Sequence, residues 1–222
     1  MATAPTTPQQ TTQPLPPIPV AAARGARPGP PPFTEDPYTR MLSPRGIPVD
    51  QLVSVLQKAI RRSQVNDAVL AAYEMHSTSP EVAAHLWRRL RLIAVEDVGM
   101  GAPLAPVLLR ELQNDYEASD GTDWMQVTHA VRYLATAPKD RTSSEHADYT
   151  KTAAEAGVVH LQVPDHALCV HTRAGQVMGR DLLQWWQEGA LVDPELPEVD
   201  HRYRDALVDW CHRIDEELTV EE

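Results

Sequence analysis

The sequence predicts an all-α protein, a multi-helix domain behind a proline-rich N-terminal tail. Three observations carry that expectation. Apolar residues recur with a period near 3.6 from Leu52 onward, which is the spacing of one helix face. Helix start and stop signals punctuate those periodic stretches. Only Val158–Val163 alternates apolar and polar residues in the manner of a strand.

The tail comes first. Thirteen of the 20 prolines precede Asp50, and runs such as Pro30-Pro31-Pro32 and the Thr/Gln stretch Thr6–Gln13 offer no apolar face to bury. Residues 1–46 are therefore expected to be disordered or polyproline-like, with a docking ligand for a proline-binding domain as the functional alternative. From Pro48 the pattern changes. Leu52, Val53, Leu56, Ala59 and Ile60 share one helix face, and Gln57, Lys58, Arg61 and Arg62 share the other. A second helix is expected through Val65, Ala68, Val69, Ala72 and Tyr73.

The third helix has a marked entry, because Ser79 can cap the free amides while Pro80 takes the first helical position, where its missing N–H costs nothing. Val82, Ala83, Leu86, Leu90, Ile93 and Ala94 form its apolar stripe, and Gly99 and Gly101 are positioned to end it. Beyond Pro103, Leu104, Val107, Leu108 and Leu112 predict a fourth helix. Thr122 is the expected cap of a fifth through Val127, Val131 and Leu134, ending before Pro138. A sixth is expected over 144–156, then a short extended segment at 158–163. Helices to about Met178, around Leu182–Glu188, and along Tyr203, Ala206, Leu207, Trp210 and Ile214 complete the series. No fixed-period repeat is present, so a regular solenoid is not expected.

Charge narrows the function classes. The formal net charge is -11, and Asp193–Glu222 holds eleven acids against Arg202, Arg204 and Arg213. Such a chain is not expected to coat nucleic acid with its whole surface, since phosphate binding draws on clustered cations. Two basic groups, Lys58-Ala59-Ile60-Arg61-Arg62 and Arg88-Arg89-Leu90-Arg91, would meet if the first and third helices pack together. Arg61, Arg62, Arg88, Arg89 and Arg91 are thus the candidate phosphate contacts, against the alternative that they solvate helix faces or pair with acids. Two cysteines, Cys169 and Cys211, without a secretory signal or membrane-length apolar run, lead to the expectation of free thiols in a soluble, cytoplasmic protein.

Catalytic patterns are scarce. None of the ten glycines is followed by lysine, and the chain has only Lys58, Lys139 and Lys151, so neither a phosphate-cradling loop nor a dinucleotide fingerprint is found. His160, His166, Cys169 and His171 are the richest set of metal-ligand types, but His166 and His171 are five residues apart rather than the three or four that share a helix face. Asp165-His166, Asp200-His201 and Glu145-His146-Ala147-Asp148 fall short of the adjacent His-Asp order that a helical metal-dependent hydrolase would need. Glu96 and Asp97, adjacent on a helix, diverge by about 100°, and are expected to bond amides or arginines at a helix terminus. Trp185-Trp186 is expected to split between core and interface rather than stack bases. No catalytic, cofactor-binding or metal-binding residue is assigned.

One stretch resembles a known family. Arg88-Arg89-Leu90-Arg91-Leu92-Ile93-Ala94-Val95-Glu96-Asp97-Val98-Gly99, preceded by Leu56-Gln57-Lys58-Ala59-Ile60-Arg61 and followed by Ala130-Val131-Arg132-Tyr133-Leu134-Ala135-Thr136-Ala137-Pro138-Lys139, is similar to the C-terminal region of the replication-associated recombination protein A family. These are AAA+ ATPases related to clamp loaders, in which this region is a helical collar that holds subunits together at stalled forks and single-strand gaps. The resemblance covers about 90 residues, from Val49 through Lys139. It implies a collar-like core over 47–140, a divergent helical extension over 141–222 and no upstream ATPase or lid. The partners it implies are further copies of the chain, a replication or repair ATPase, or both, with DNA as a direct partner in the alternative and no membrane. No cofactor is expected. Where the family continues with a glycine- and tyrosine-rich end, this chain runs through Asp165-His166-Ala167-Leu168 and Met178-Gly179-Arg180.

Overall fold

The computed structural model describes residues 14–19 and 35–220, with side chains up to residue 214. Most of the expected proline-rich tail lies outside the described residues. The remainder is all-helical: no strand forms among the described residues, and the single antiparallel bridge joins Leu42 to Pro48. Two compact units divide at Val159/His160.

The first unit is built on six helices: α1 (Val49–Arg61), α2 (Val65–His76), α3 (Pro80–Ile93), α4 (Ala105–Ala118), α5 (Trp124–Thr136) and α6 (Thr142–Glu155). Leu52, Leu56, Ala59 and Ile60 of α1 are buried against α2, whose inward face is Ala68, Ala71, Ala72 and Met75. Alanines at that face let the two backbones approach closely, which is why α2 serves as the centre of the bundle and also touches α3 and α5. Trp87, Leu86 and Leu90 of α3 and Val127, Val131 and Leu134 of α5 close the core, all at most 1 % exposed. At the α3 entry the Ser79 hydroxyl accepts from the Val82 amide at 3.3 Å with Pro80 at the first helical position, as expected. Ser79→Ala should cost about 1 kcal/mol, read as a shift in the urea midpoint.

Folded structure begins before the expected boundary at residue 47. Asp36 caps a short turn over Pro37–Thr39, Tyr38 stacks on His85 with centroids 4.2 Å apart, and the Met41 carbonyl accepts from the Val49 amide at 2.9 Å. An aromatic ring and a methionine between prolines thus fix this segment, although its composition resembles the tail.

Four expectations are corrected. Asp123, not Thr122, caps α5: its carboxylate accepts from the Met125 amide at 3.0 Å, while the Thr122 hydroxyl donates back to the Ser119 carbonyl. In α4 the core residues are Ala105, Leu109 and Tyr116, while Leu104, just ahead of the helix, and Val107 are exposed, because the helix packs on the unit through the Ala105–Leu109–Tyr116 side. Residues 158–163 have no strand partner. The single helix expected up to Met178 is broken into a turn at Asp165–Ala167 and α7 (Arg173–Val177), since Thr172 caps the Gly175 amide and restarts the chain.

In the second unit α7 is followed by α8 (Leu182–Gln184), which runs into a π-helical turn at Trp185–Gly189, and by α9 (Arg202–Val220). Arg180 ties the turn together, donating to the carbonyls of Asp165 and Leu168 at 2.6 and 2.7 Å and to the Asp165 carboxylate. No helix among the described residues is long and apolar enough to cross a membrane.

Candidate functional site

The π-helical turn Ala94–Val98 extends α3 and carries a buried charge. One extra residue in the turn rotates Asp97 inward, where it is fully buried. A carboxylate there must be paired and hydrogen-bonded to persist. Arg61 Nε donates to Oδ1 at 2.6 Å, Gln57 Nε2 donates to Oδ2 at 2.9 Å, and Arg141 donates to Oδ1 as well. Glu96 lies across the same two guanidinia, 3.7 Å from Arg61 and 3.5 Å from Arg141. Burial alone would push the Asp97 carboxyl up, but the bonds from Arg61, Gln57 and Arg141 outweigh it and hold the group below the usual aspartate range.

The same corner locks two distant segments together. Gly99, with φ +51°, closes the turn in a conformation that side chains rarely adopt. A Cβ on Gly99 would strike the Asp140 carbonyl, and one on Gly101 would strike the Pro138 carbonyl. The Asp140 amide in turn donates to the carbonyls of Asp97 and Val98 at 3.2 and 3.1 Å. Lys139 Nζ donates to the Ala135 and Ala137 carbonyls, and burial lowers its pKa, against the pull of Asp97. Val95-Glu96-Asp97-Val98-Gly99 and Ala137-Pro138-Lys139-Asp140-Arg141 therefore form one interlocked element.

Placed on this geometry, the candidate phosphate contacts separate. Arg61 and Arg89 belong to the network: Arg89 donates to Gln57 Oε1, and Gln57 passes the connection on to Asp97. Arg91 donates to Gln113 at 2.8 Å and Arg88 to the Tyr38 hydroxyl at 3.3 Å. Arg62 is exposed and reaches the Lys58 carbonyl of its own helix at 3.2 Å. Packing of α1 on α3 brings the two basic groups together, but through Gln57 and Asp97 rather than as an open cationic surface. Arg62→Ala should change stability by no more than about 0.5 kcal/mol, whereas Arg61→Ala, which removes a partner of Asp97, should cost several times more in the same urea titration.

Gln57, Lys139 and Arg141 were not singled out from sequence as site residues, and Gln57 was expected on the polar outer face. The available signal was the acid pair followed by glycine, since an acid at a buried turn demands donors from elsewhere in the chain. Glu96 and Asp97 do bond arginines, as expected for a helix terminus.

In the second unit Cys169 Sγ lies 3.5 Å from His171 Nδ1, and Trp185 sits edge-on to that ring. His160 and His166 are exposed. No group of three or more His, Cys, Asp or Glu side chains among the described residues is arranged to hold a metal. Asp165 is engaged by Arg180 and Asp200 by Arg202, and Glu145, His146 and Asp148 lie exposed on α6. Trp185 and Trp186 are both half-buried, edge-to-face at 4.3 Å and 64°, so their rings form no flat platform for a base.

Fold and site together define, over the described residues, an all-α helical protein that carries a buried ionic interlock. No model of a known protein family matches the chain, and no curated protein sequence matches it.

Proposed function

We propose that this chain is a helical assembly module of the collar type, related to the C-terminal region of the replication-associated recombination protein A ATPases. It acts in DNA replication or repair by protein contact rather than by chemistry. The observation that supports this most is the interlock: Gln57 and Arg61 of Leu56–Arg61 bond Asp97 of Arg88–Gly99, and the Asp140 amide, directly after Ala130–Lys139, donates to the Asp97 and Val98 carbonyls. Its partners are further copies of itself or a clamp-loader-related ATPase, met through exposed apolar residues on rigid helices.

Capture assays with replication and repair ATPases on single-stranded and forked DNA test this. Retention of an AAA+ ATPase by the purified chain is the expected result; failure to retain any, from a chain that is also monomeric, would refute it.

Direct DNA contact is the second reading, favoured by the exposure of Arg62, just past the end of α1, and of Arg88 and Arg91 on α3. It predicts salt-sensitive binding with little sequence preference. Fluorescence anisotropy with forked DNA at low salt should then weaken when these three arginines become alanine, and unchanged binding would remove this reading.

A further inference from the structure

Residues 14–19, Pro14-Leu15-Pro16-Pro17-Ile18-Pro19, belong to the proline-rich stretch yet meet the folded chain. Four of the six are proline, which fixes φ near about −65° and leaves only the amides of Leu15 and Ile18 as main-chain donors. The segment takes no helix, strand or turn, so its carbonyls have no partner within it. One of them is met from α6: the Tyr149 hydroxyl donates to the Pro16 carbonyl at 2.9 Å, across 133 residues of sequence. Ile18, two residues on, is half-buried, while Leu15 is 68 % exposed. An extended segment cannot cover its own side chain, so Ile18 is seated against other residues.

The α6 side of this contact is the one covered part of a solvated stretch. Residues 145–148 and 150–152 are exposed, whereas Tyr149 is half-buried and Ala153 fully buried. Ala153 lies outside the core that α1 to α5 share, so that core does not account for its burial. Spaced by four, Tyr149 and Ala153 are on one helix face. Val158 returns beside it, its amide donating to the Ala153 carbonyl at 2.8 Å. The face thus combines an aromatic ring that carries a donor with a methyl group small enough to let a backbone lie close. Proline-rich segments are read by this chemistry: aromatic rings pack on the pyrrolidines, and a hydroxyl bonds a carbonyl that the extended backbone leaves free. Because the prolines hold the segment extended beforehand, docking orders little that was not already ordered.

We propose that the face of α6 formed by Tyr149 and Ala153 is a binding site for proline-rich extended segments, occupied in this chain by its own residues 14–19. Tyr149 supplies the donor that selects a free carbonyl, and Ile18 anchors the strap. Tethered in the same chain, the strap acts at an effective concentration of about millimolar, so a modest intrinsic affinity holds it. A proline-rich segment from another chain competes for the same face.

Isoleucine-methyl NMR on the full chain tests it, since only Ile18, Ile47, Ile60, Ile93 and Ile214 give signals. Ile18→Val identifies the Ile18 signal. In the wild type that signal should stand apart from its position in a free peptide of residues 12–21. Tyr149→Phe keeps the ring and removes the donor, so it should lower the docking equilibrium constant about threefold to tenfold. Tyr149→Ala should return the signal to the free position. The Ile60 and Ile93 signals, both from the core, report that each variant stays folded; where Tyr149→Ala disturbs them, Tyr149→Phe and a peptide titration decide. For that titration the strap is disabled in the full chain by Pro14→Gly, Pro16→Gly, Pro17→Gly and Pro19→Gly, and the isotope-labelled peptide is added up to the effective concentration of a tether, about millimolar. Its isoleucine signal should move toward the wild-type strap position, and adding Tyr149→Ala to that variant should abolish the movement. A wild-type Ile18 signal at the free position, one that Tyr149→Phe and Tyr149→Ala leave in place, or a peptide that does not bind would each overturn the site. So would a wild-type shift that disappears on dilution, because the strap would then belong to another copy.

Discussion

Replacing Asp97 by alanine should destabilise the first unit by about 3–5 kcal/mol, the range for removing one member of a buried ion pair. Arg61 and Arg141 both converge on this carboxylate, and Gln57 connects it to Arg89. Without it, two guanidinia face each other across Glu96 alone. Both keep 31 % of their side chains exposed and can turn toward water, which places the expected loss near the lower end of that range. Asp97→Asn, which keeps a group able to accept from Arg61 or Arg141, should lose less. Arg141→Ala combined with Asp97→Ala should cost clearly less than the sum of the two single changes, because the pair interacts directly.

The same carboxylate sets an acid dependence whose sign follows from its pKa. Held below the unfolded value, Asp97 binds its proton less readily in the folded chain than in the unfolded one. Its contribution is therefore complete above about pH 4, near the unperturbed aspartate value, and is lost as pH falls through the lower folded value. Urea midpoints measured from pH 7 down to 3 should fall more steeply for the wild type than for Asp97→Asn. Parallel curves would show that the network does not hold the charge.

The second large effect is expected at Gly99. Alanine there meets two independent penalties. The backbone sits at φ +51°, where a side chain costs about 1–3 kcal/mol, and the new Cβ strikes the Asp140 carbonyl, a main-chain atom that can yield only if the Pro138–Arg141 segment moves away. Moving that segment would also break the Asp140 amide bonds to Asp97 and Val98. Gly157 is the control. Its φ is +67°, but a Cβ there meets nothing within 4 Å, so Gly157→Ala should show the backbone cost alone, about 1–2 kcal/mol. Gly99→Ala should exceed it by a clear margin in thermal unfolding. Equal losses would mean that the contact with Asp140 contributes nothing.

These two positions also show what was legible in the sequence. The helical class was readable because a period near 3.6 persists wherever a helix buries one face, and α1, α3 and α5 carry their stripes on the expected residues. Ser79-Pro80 marked a helix entry through local chemistry alone. Other features depended on residues far apart in sequence. Gln57 and Arg61 read as solvent-facing on α1, and only the inward rotation of Asp97 by the π-helical turn makes them interior partners. Helix α4 was misjudged for a related reason: Leu104, Val107 and Leu108 fit the period, yet the unit buries Leu109 and Tyr116 and leaves Leu104 and Val107 outside. Periodicity locates an apolar face, but it does not say whether this chain or a partner covers it. Nor did Glu74 stand out, since nothing local distinguishes a buried acid from a solvated one until Arg45 is seen to reach it.

The most direct test of a collar-type assembly module is sedimentation velocity on the full chain, alone and mixed with a clamp-loader-related AAA+ ATPase from the replication or repair machinery. Self-association or co-sedimentation with the ATPase is the expected result, and it should be lost when Asp97→Ala unlocks the first unit. A chain that sediments as a monomer at every concentration and leaves the ATPase boundary unmoved would contradict it.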